Sequence, residues 1–225
     1  MGKSAYHDVV TDIEICEKNN GRAGGETALV VVSKTFPGEQ IIPILNAGAR
    51  IFGENRVQEA AAKWPQLRDQ FDSIKLHLIG PLQSNKAAEA VKLFDVIQTI
   101  DREKIAAAIS KEMKKQNKNL QLFVQVNIGC EEQKAGVLPQ DAVEFVSLCR
   151  EKYQLRVTGL MCIPPNNESP APHFEHLRNL SKMCDCQYLS MGMSADYKTA
   201  IEFGASHVRV GSAIFGKREA TKPSV

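Results

Sequence analysis

The feature that most constrains this chain is a repeated alternation of short apolar runs with longer amphipathic stretches. The first run, residues 28–33 (ALVVVS), is rich in β-branched residues, which is typical of a strand buried on both faces. Seven more runs are predicted as strands, at 51–53, 76–79, 95–99, 120–128, 155–160, 188–189 and 207–210. Helical patterns follow them at 38–49, 57–68, 102–115, 139–151, 172–184, 195–203 and 212–216.

Strands that alternate with helices pair in parallel through right-handed crossovers. Eight such units predict the α/β class and a closed (β/α)8 barrel, the TIM barrel, with an open doubly wound sheet as the alternative. The 225 residues suit one such domain. We therefore expect a single domain over 1–225, with the barrel at about 27–217 and an extra helix at 4–19 in front of it.

Composition excludes several classes of function. The net charge of +2 does not favour nucleic acid, and no apolar run is long enough to span a membrane or to act as a secretory signal. The six cysteines contain no CxxC pair, and Cys184 and Cys186 lack a second pair of metal ligands. These observations predict a cytoplasmic protein with reduced thiols, no metal site, no nucleic-acid partner and no membrane partner.

One lysine directly follows the first predicted strand, where the working face of such a barrel lies. Lys34 comes after an almost wholly apolar run, so we expect it to be half-buried. Burial disfavours an ammonium ion and thereby prepares a lysine to form an imine with an aldehyde. The alternative is that the long side chain only reaches the rim and contacts solvent.

Two glycine- and serine-containing turns follow the seventh and eighth predicted strands. They are the loop 190–194, which ends at Ser194, and the Gly211-Ser212 turn, and each leads into a helix. Backbone N–H groups, hydroxyls and helix N-termini together favour phosphate, which barrels often bind at this position. The alternative is ordinary helix capping by the two serines.

Two further polar residues lie on the predicted strands. Arg209, on the last strand, could contact phosphate, form a structural ion pair or face a ring nitrogen. His77, on the third strand, is interpreted as a core histidine rather than a base. A lysine and a phosphate cradle in one barrel indicate a phosphorylated aldehyde as the ligand. The residues alone leave open whether it is pyridoxal 5′-phosphate (PLP) or a sugar phosphate.

Six motifs extend the interpretation beyond these physical arguments. They are VVSKT at 31–35, GENRVQE at 53–59, HLIGPLQSNK at 77–86, GLM at 159–161, LSMGMSAD at 189–196 and RVGSAIFG at 209–216. In these motifs and in their order, the chain resembles the PLP homeostasis protein family. The fold of that family resembles the N-terminal barrel domain of bacterial alanine racemase, without the second, β-rich domain of that enzyme.

The resemblance implies how the cofactor would be held. It assigns contacts with PLP to seven residues, namely Lys34, Asn55, Met161, Ser194, Arg209, Gly211 and Ser212. By this resemblance the lysine forms a Schiff base, the two serines and the 211–212 turn hold the phosphate, and the arginine faces the pyridine nitrogen. The asparagine and the methionine would line the ring pocket.

The resemblance also implies a function: intracellular PLP (vitamin B6) homeostasis, with no catalytic residue and no established reaction. PLP-dependent apo-enzymes are conceivable partners, and a monomer is expected because the racemase dimer uses the missing domain. The alternative is a PLP-dependent amino-acid racemase or a related PLP enzyme. An aldolase that forms a Schiff base with a sugar phosphate, and a purely structural barrel, are further readings.

Overall fold

A computed structural model describes residues 2–216, in which eight parallel strands form a closed barrel in sequence order. Pairing of Val31 with Val210 joins the first strand to the last. The predicted barrel is therefore confirmed, and the open sheet is excluded. The strands are β1 (Ala28–Val32), β2 (Ile51–Glu54), β3 (Lys75–Leu78), β4 (Val96–Ile100), β5 (Gln121–Val126), β6 (Val157–Cys162), β7 (Tyr188–Met193) and β8 (His207–Val210).

The helices surround the barrel, and the first lies in front of it as predicted. The expected single domain over 1–225 and barrel end near 217 include positions 1 and 217–225, which lie outside the described residues. The helices are α1 (Gly2–Asn19), α2 (Gly38–Asn46), α3 (Val57–Gln70), α4 (Ala87–Leu93), α5 (Glu103–Gln116), α6 (Ala142–Glu151), α7 (Pro170–Met183), α8 (Tyr197–Glu202) and α9 (Ser212–Phe215).

Two elements differ most from the sequence prediction, since the ends of the others shift by at most three residues. The helix α4 is not predicted, because its seven residues show too few apolar positions to establish a helical period. The strand β7 continues to Met193, four residues beyond its predicted end at Leu189. Ser190 and Gly192 interrupt the apolar run, yet both belong to the strand, since a small or hydrogen-bonded residue can face the inside of a barrel.

Most of the apolar core lies between the sheet and the helices, and we call this region the outer layer. Strand residues such as Val31 and Leu160 contact helix residues that include Ile41, Trp64 and Phe174, and all five are fully buried. Burying a large apolar side chain stabilises the fold by about 1.5–3 kcal/mol. The outer layer is therefore the main source of stability.

The barrel interior has a different composition. Ser190 on β7 donates a hydrogen bond to Gln98 on β4 at 2.6 Å, and the rings of His77 on β3 and His207 on β8 have centroids 5.7 Å apart. These strands are not neighbours in the sheet, so the contacts cross the inside of the barrel. A small apolar cluster of Val96, Phe123 and Met161 packs in the same space.

Three further findings concern the part of the chain that the structure describes. Among residues 2–216 no helix is both long and apolar enough to cross a membrane. Within the same range, no group of three or more histidine, cysteine, aspartate or glutamate side chains could hold a metal ion. All six cysteines are free thiols.

Candidate functional site

A cavity of about 350 Å³ opens at the carboxyl ends of the strands, the face on which barrel enzymes build their sites. It is large enough for a small cofactor. Six of the seven residues assigned by the motifs line it, namely Lys34, Asn55, Ser194, Arg209, Gly211 and Ser212. The fold thus brings together residues that are separated by up to 178 positions in the chain.

Met161 is the exception, and its predicted place on the pocket wall is not what the structure shows. The side chain is fully buried and packs with Val96 and Phe123 inside the barrel. Side chains two residues apart on a strand share one face, and Ile163, two residues further along the chain, lines the cavity. Met161 therefore lies one step further into the barrel than predicted.

Lys34 reaches the cavity because of the alternation of side chains on and after β1. Val32 and Lys34 both line the cavity, whereas Val31 and Ser33 point to the outer layer. The lysine is half-buried, as expected from its position after an apolar strand. An amine on this wall can meet an aldehyde bound in the cavity.

Asn55 owes its place to a close approach between the ends of β2 and β3. A Cβ atom at Gly80 would lie 2.3 Å from the backbone oxygen of Asn55, so only glycine fits there. Thr99 donates a hydrogen bond to the Gly80 carbonyl at 2.8 Å and fixes this contact from β4. The side chain of Asn55 is thereby held at the cavity wall.

The predicted phosphate cradle lies where β7 and β8 end. The Gly211 N–H donates to the Ser194 hydroxyl at 3.4 Å, so the two turns are in contact. Neither serine caps a helix through its side chain, which removes the capping alternative. Because α8 and α9 have only six and four residues, their dipoles are small, and the donors are the N–H groups and hydroxyls themselves.

Arg209 forms the charged floor of the cavity. Only 4% of the residue is exposed, and it donates to the Ser190 hydroxyl at 2.7 Å and to the Cys162 carbonyl at 2.8 Å. Burial lowers the pKa of the Arg209 guanidinium, but an arginine remains protonated in proteins. Among residues 2–216 no carboxylate forms a direct salt bridge with Arg209, although the Asp196 carboxylate favours its charge from a longer distance, so the cavity floor is positively charged.

A chain of hydrogen bonds continues from Arg209 into the barrel interior. Ser190 receives a bond from Arg209 and donates to Gln98, whose amide nitrogen lies 2.9 Å from Nδ1 of His77. With the Gln98 carbonyl accepting, its amide must donate, so His77 is neutral with its proton on Nε2. Burial also holds the pKa of His77 well below its usual value. His77 is thus a structural acceptor, as interpreted from the sequence.

Sequence reasoning placed Ser190 at the start of the predicted phosphate loop, whereas the structure places it in β7 against Arg209, and it did not identify Gln98. Both lie on buried strands at positions where a polar residue breaks an apolar run. A buried polar residue needs a hydrogen-bond partner, so these interruptions were the available signal. Phe36 and Ile163, which also line the cavity, carry no such signal because apolar residues are expected in most positions of a core.

Comparison with known proteins places these features in context. The family model described as "Alanine racemase, N-terminal domain" matches residues 17–219. The pyridoxal phosphate homeostasis protein of Vibrio alginolyticus is 38% identical over 221 residues, which cover 94% of this chain and 95% of that protein.

Two solved structures show the same barrel. PipY of Synechococcus elongatus with PLP bound aligns with a TM-score of 0.77 and 31% identity, covering 91% of this chain and all of that one (100%). Alanine racemase from Acinetobacter baumannii aligns with a TM-score of 0.71 and 17% identity, covering 95% of this chain but 61% of the enzyme. The second likeness concerns the fold alone.

Proposed function

The chain belongs to the family of pyridoxal phosphate homeostasis proteins, and from that premise we propose that it binds PLP in intracellular vitamin B6 homeostasis. The observation that carries this proposal is the cavity in which a lysine, two serine hydroxyls and a buried arginine converge. PipY, 31% identical, binds PLP in the same fold. Homology and chemistry therefore support the same ligand.

The residues present fit this cofactor, which has an aldehyde, a phosphate and a pyridine nitrogen. The Ser194 and Ser212 hydroxyls supply donors for the phosphate, and the Gly211 N–H would join them by giving up its long contact with Ser194. Arg209 supplies a donor for the ring nitrogen. An anionic ligand would also compensate the buried guanidinium. Lys34 supplies the amine that a Schiff base requires. No feature of the cavity conflicts with the seven-residue assignment except the deeper position of Met161.

We further propose that the protein holds PLP without a catalytic reaction of its own. PLP, when bound, supplies an aldehyde and an electron sink, and the sink is strongest when the ring nitrogen is protonated. Arg209 donates a hydrogen bond but keeps its proton, which makes the ring a weak sink. None of Tyr6, Tyr153, Tyr188 and Tyr197 is among the residues that line the cavity, so no tyrosine is placed as a base.

An absorbance spectrum of the purified protein tests the proposal. Bound as a Schiff base, PLP should absorb at roughly 420 nm, and borohydride should abolish the band. Lys34→Arg keeps the charge but cannot form the linkage under these conditions, so it should lack the band, whereas the surface variant Lys92→Arg should keep it. A wild-type protein that stays colourless after incubation with PLP would reject the proposal and leave the sugar-phosphate aldolase as the alternative.

The role in homeostasis, a monomeric state and a cytoplasmic location extend this proposal. Delivery predicts that PLP reaches a PLP-dependent apo-enzyme faster from this protein than by free diffusion. Transfer at the free-diffusion rate would leave buffering as the function. Light scattering would test the monomer, and fractionation would test the location.

The racemase alternative has a separate test. If the protein were a racemase, L-alanine would lose its chirality faster with the holoprotein than with free PLP. We expect equal rates, since no second base is placed at the cavity among the described residues. A rate well above that of free PLP would reassign the protein as an enzyme.

A further inference from the structure

The backbone immediately after Lys34 has an unusual conformation. Thr35 has a φ of 70°, in the left-handed region that β-branched residues rarely adopt. Such a conformation persists only where surrounding groups impose it. Lys34 and Thr35 are neighbours in the same turn. The residues that impose the conformation of Thr35 therefore also affect the direction of the Lys34 side chain.

Three side chains from β2 and α3 hold this turn, and we call Glu54, Glu59 and Lys63 the clamp. The Lys63 ammonium donates to the Ser33 carbonyl at 2.9 Å and to the Phe36 carbonyl at 3.0 Å. Its third donor goes to Glu59 at 3.0 Å. Two N–H groups of Lys63 therefore tie the ends of the turn to α3, and the third is shared by the Glu59 and Glu54 carboxylates.

The two carboxylates complete the clamp. Glu59 accepts a hydrogen bond from the Thr35 N–H, the group whose direction the left-handed φ sets. Glu54 is fully buried, accepts from the Ser33 hydroxyl at 2.6 Å and lies 2.9 Å from Lys63. The residues on both sides of Lys34 are thus held, although none of the three clamp residues lines the cavity.

Burial makes the clamp specific rather than incidental. The Lys63 side chain is 11% exposed and that of Glu54 is 0% exposed, so solvent screens their attraction little. Burial raises the pKa of Glu54, and the Lys63 ammonium opposes that shift. Removing one partner of such a buried pair leaves the other charge uncompensated, so the pair fixes the positions of Lys63 and Glu54 together.

We propose that Glu59 and Lys63, supported by Glu54, are positioning residues that hold the Thr35 turn and thereby aim the Lys34 amine into the cavity. The inference rests on the proposed function in one respect, since the amine is aimed at an aldehyde. The clamp itself exists without the cofactor, so its action on the turn can be measured separately.

The first arm of the test measures amide hydrogen exchange at Thr35 in cofactor-free protein. We expect the Thr35 N–H to exchange about tenfold faster in Glu59→Ala and in Lys63→Met than in wild type. Without the clamp, the turn more often adopts conformations in which this N–H is exposed to solvent. Lys152→Met, which removes an exposed lysine paired with Glu103 elsewhere, is the control and should leave exchange unchanged. Wild-type exchange in both clamp variants would overturn the proposal.

The second arm measures the rate at which the band near 420 nm develops after mixing with PLP. Glu59→Ala and Lys63→Met should lower this rate about tenfold, because the Lys34 amine would spend less time in the orientation that reacts with the aldehyde. Adding Thr35→Gly to Glu59→Ala should restore most of the rate, because glycine adopts positive φ without cost. A merely structural role would not predict this rescue.

The outcomes separate the two proposals. The clamp proposal is supported if the clamp variants bind PLP more slowly and Thr35→Gly restores the rate. It is overturned if the clamp variants react at the wild-type rate, or if they are slow and Thr35→Gly does not restore the rate. A wild-type protein that never develops the band rejects the proposed function, and the exchange arm then decides on the clamp alone. Should Lys63→Met fail to fold because Glu54 loses its partner, Glu59→Ala remains, since the Glu59 side chain is 28% exposed.

Discussion

The outer layer and the barrel interior are both buried, yet they are built differently. In the outer layer, Trp64 and Phe174 contact aliphatic strand residues, and packing is the main interaction. In the interior, Gln98, Ser190 and Arg209 form hydrogen bonds across the barrel. Since side chains alternate along a strand, one strand serves both regions. The difference suggests that stability and ligand orientation reside on opposite faces of the same strands.

The largest expected effect comes from the outer layer. Replacing the fully buried Phe174 by alanine should lower the free energy of unfolding by about 3–5 kcal/mol, through lost burial and the cavity that remains. The PLP affinity of the folded fraction should not change, because Phe174 does not line the cavity. Urea unfolding would measure the stability, and a PLP titration would measure the affinity. If the affinity fell together with the stability, the outer layer and the interior would not have separate roles.

The next effect is a pH dependence that originates in the interior. Burial lowers the pKa of His207 to about 4, whereas a histidine in the unfolded chain has a pKa of about 6.5. Between these two pH values the unfolded chain binds a proton at His207 and the folded protein does not. Stability should therefore be complete above pH 6.5 and fall as the pH drops toward 4, by about 3 kcal/mol from this residue.

Urea unfolding at pH 7 and pH 4.5 would measure this loss. His207→Leu should reduce the dependence to the part that the second buried histidine, His77, contributes, whereas the matched variant of an exposed histidine, His176→Leu, should leave it intact. An unchanged slope in His207→Leu would show that His207 does not contribute to the pH dependence.

A smaller effect separates two buried serines. Ser190→Ala removes the hydrogen bonds to Arg209 and Gln98 and should cost about 1–2 kcal/mol of stability. It should also weaken PLP binding about tenfold, because the guanidinium loses its orientation. Ser181→Ala, which removes one partly buried bond to the Arg178 carbonyl within α7, should cost less stability and should not weaken binding. Equal binding losses would contradict the division between the two regions.

The smallest effect concerns thiol reactivity in the native protein. Cys130 is exposed, whereas Cys149 and Cys162 are fully buried, and burial raises the pKa of both thiols to about 12. Iodoacetamide should therefore modify Cys130 first and reach the other two only after unfolding, since the thiolate is the reactive form. Mass spectrometry of the labelled peptides would measure the order, and early labelling of Cys162 would indicate that its layer opens to solvent.

The two regions also differ in how well the sequence predicts them. Strand β8 is predicted at its observed bounds, since the outward Val208 and Val210 alternate with His207 and Arg209. β7 is predicted too short, because Ser190 belongs to the interior and breaks the apolar pattern. Apolar periodicity arises from the side chains that face the outer layer. It therefore predicts the bounds of a strand poorly where the inward-facing residues are polar.

The site follows the same rule. Lys34 and Ser194 are predicted because they come directly after strands, which fixes the end of the barrel that they occupy. The partners of Arg209 and the deeper position of Met161 depend on which side chains meet across the barrel, which follows from strand register. The clamp depends on a left-handed Thr35, and no residue pattern signals that conformation for a threonine.

A single buried tryptophan gives the protein an intrinsic fluorescent probe. Trp64 is the single tryptophan in the chain, and its indole N–H donates to the Glu54 carboxylate at 3.0 Å. When tryptophan is excited selectively, the emission therefore originates from one indole, adjacent to the turn that carries Lys34. A change of this emission on loading or release of a ligand could be followed in real time without attaching a dye and would be assigned to a single residue.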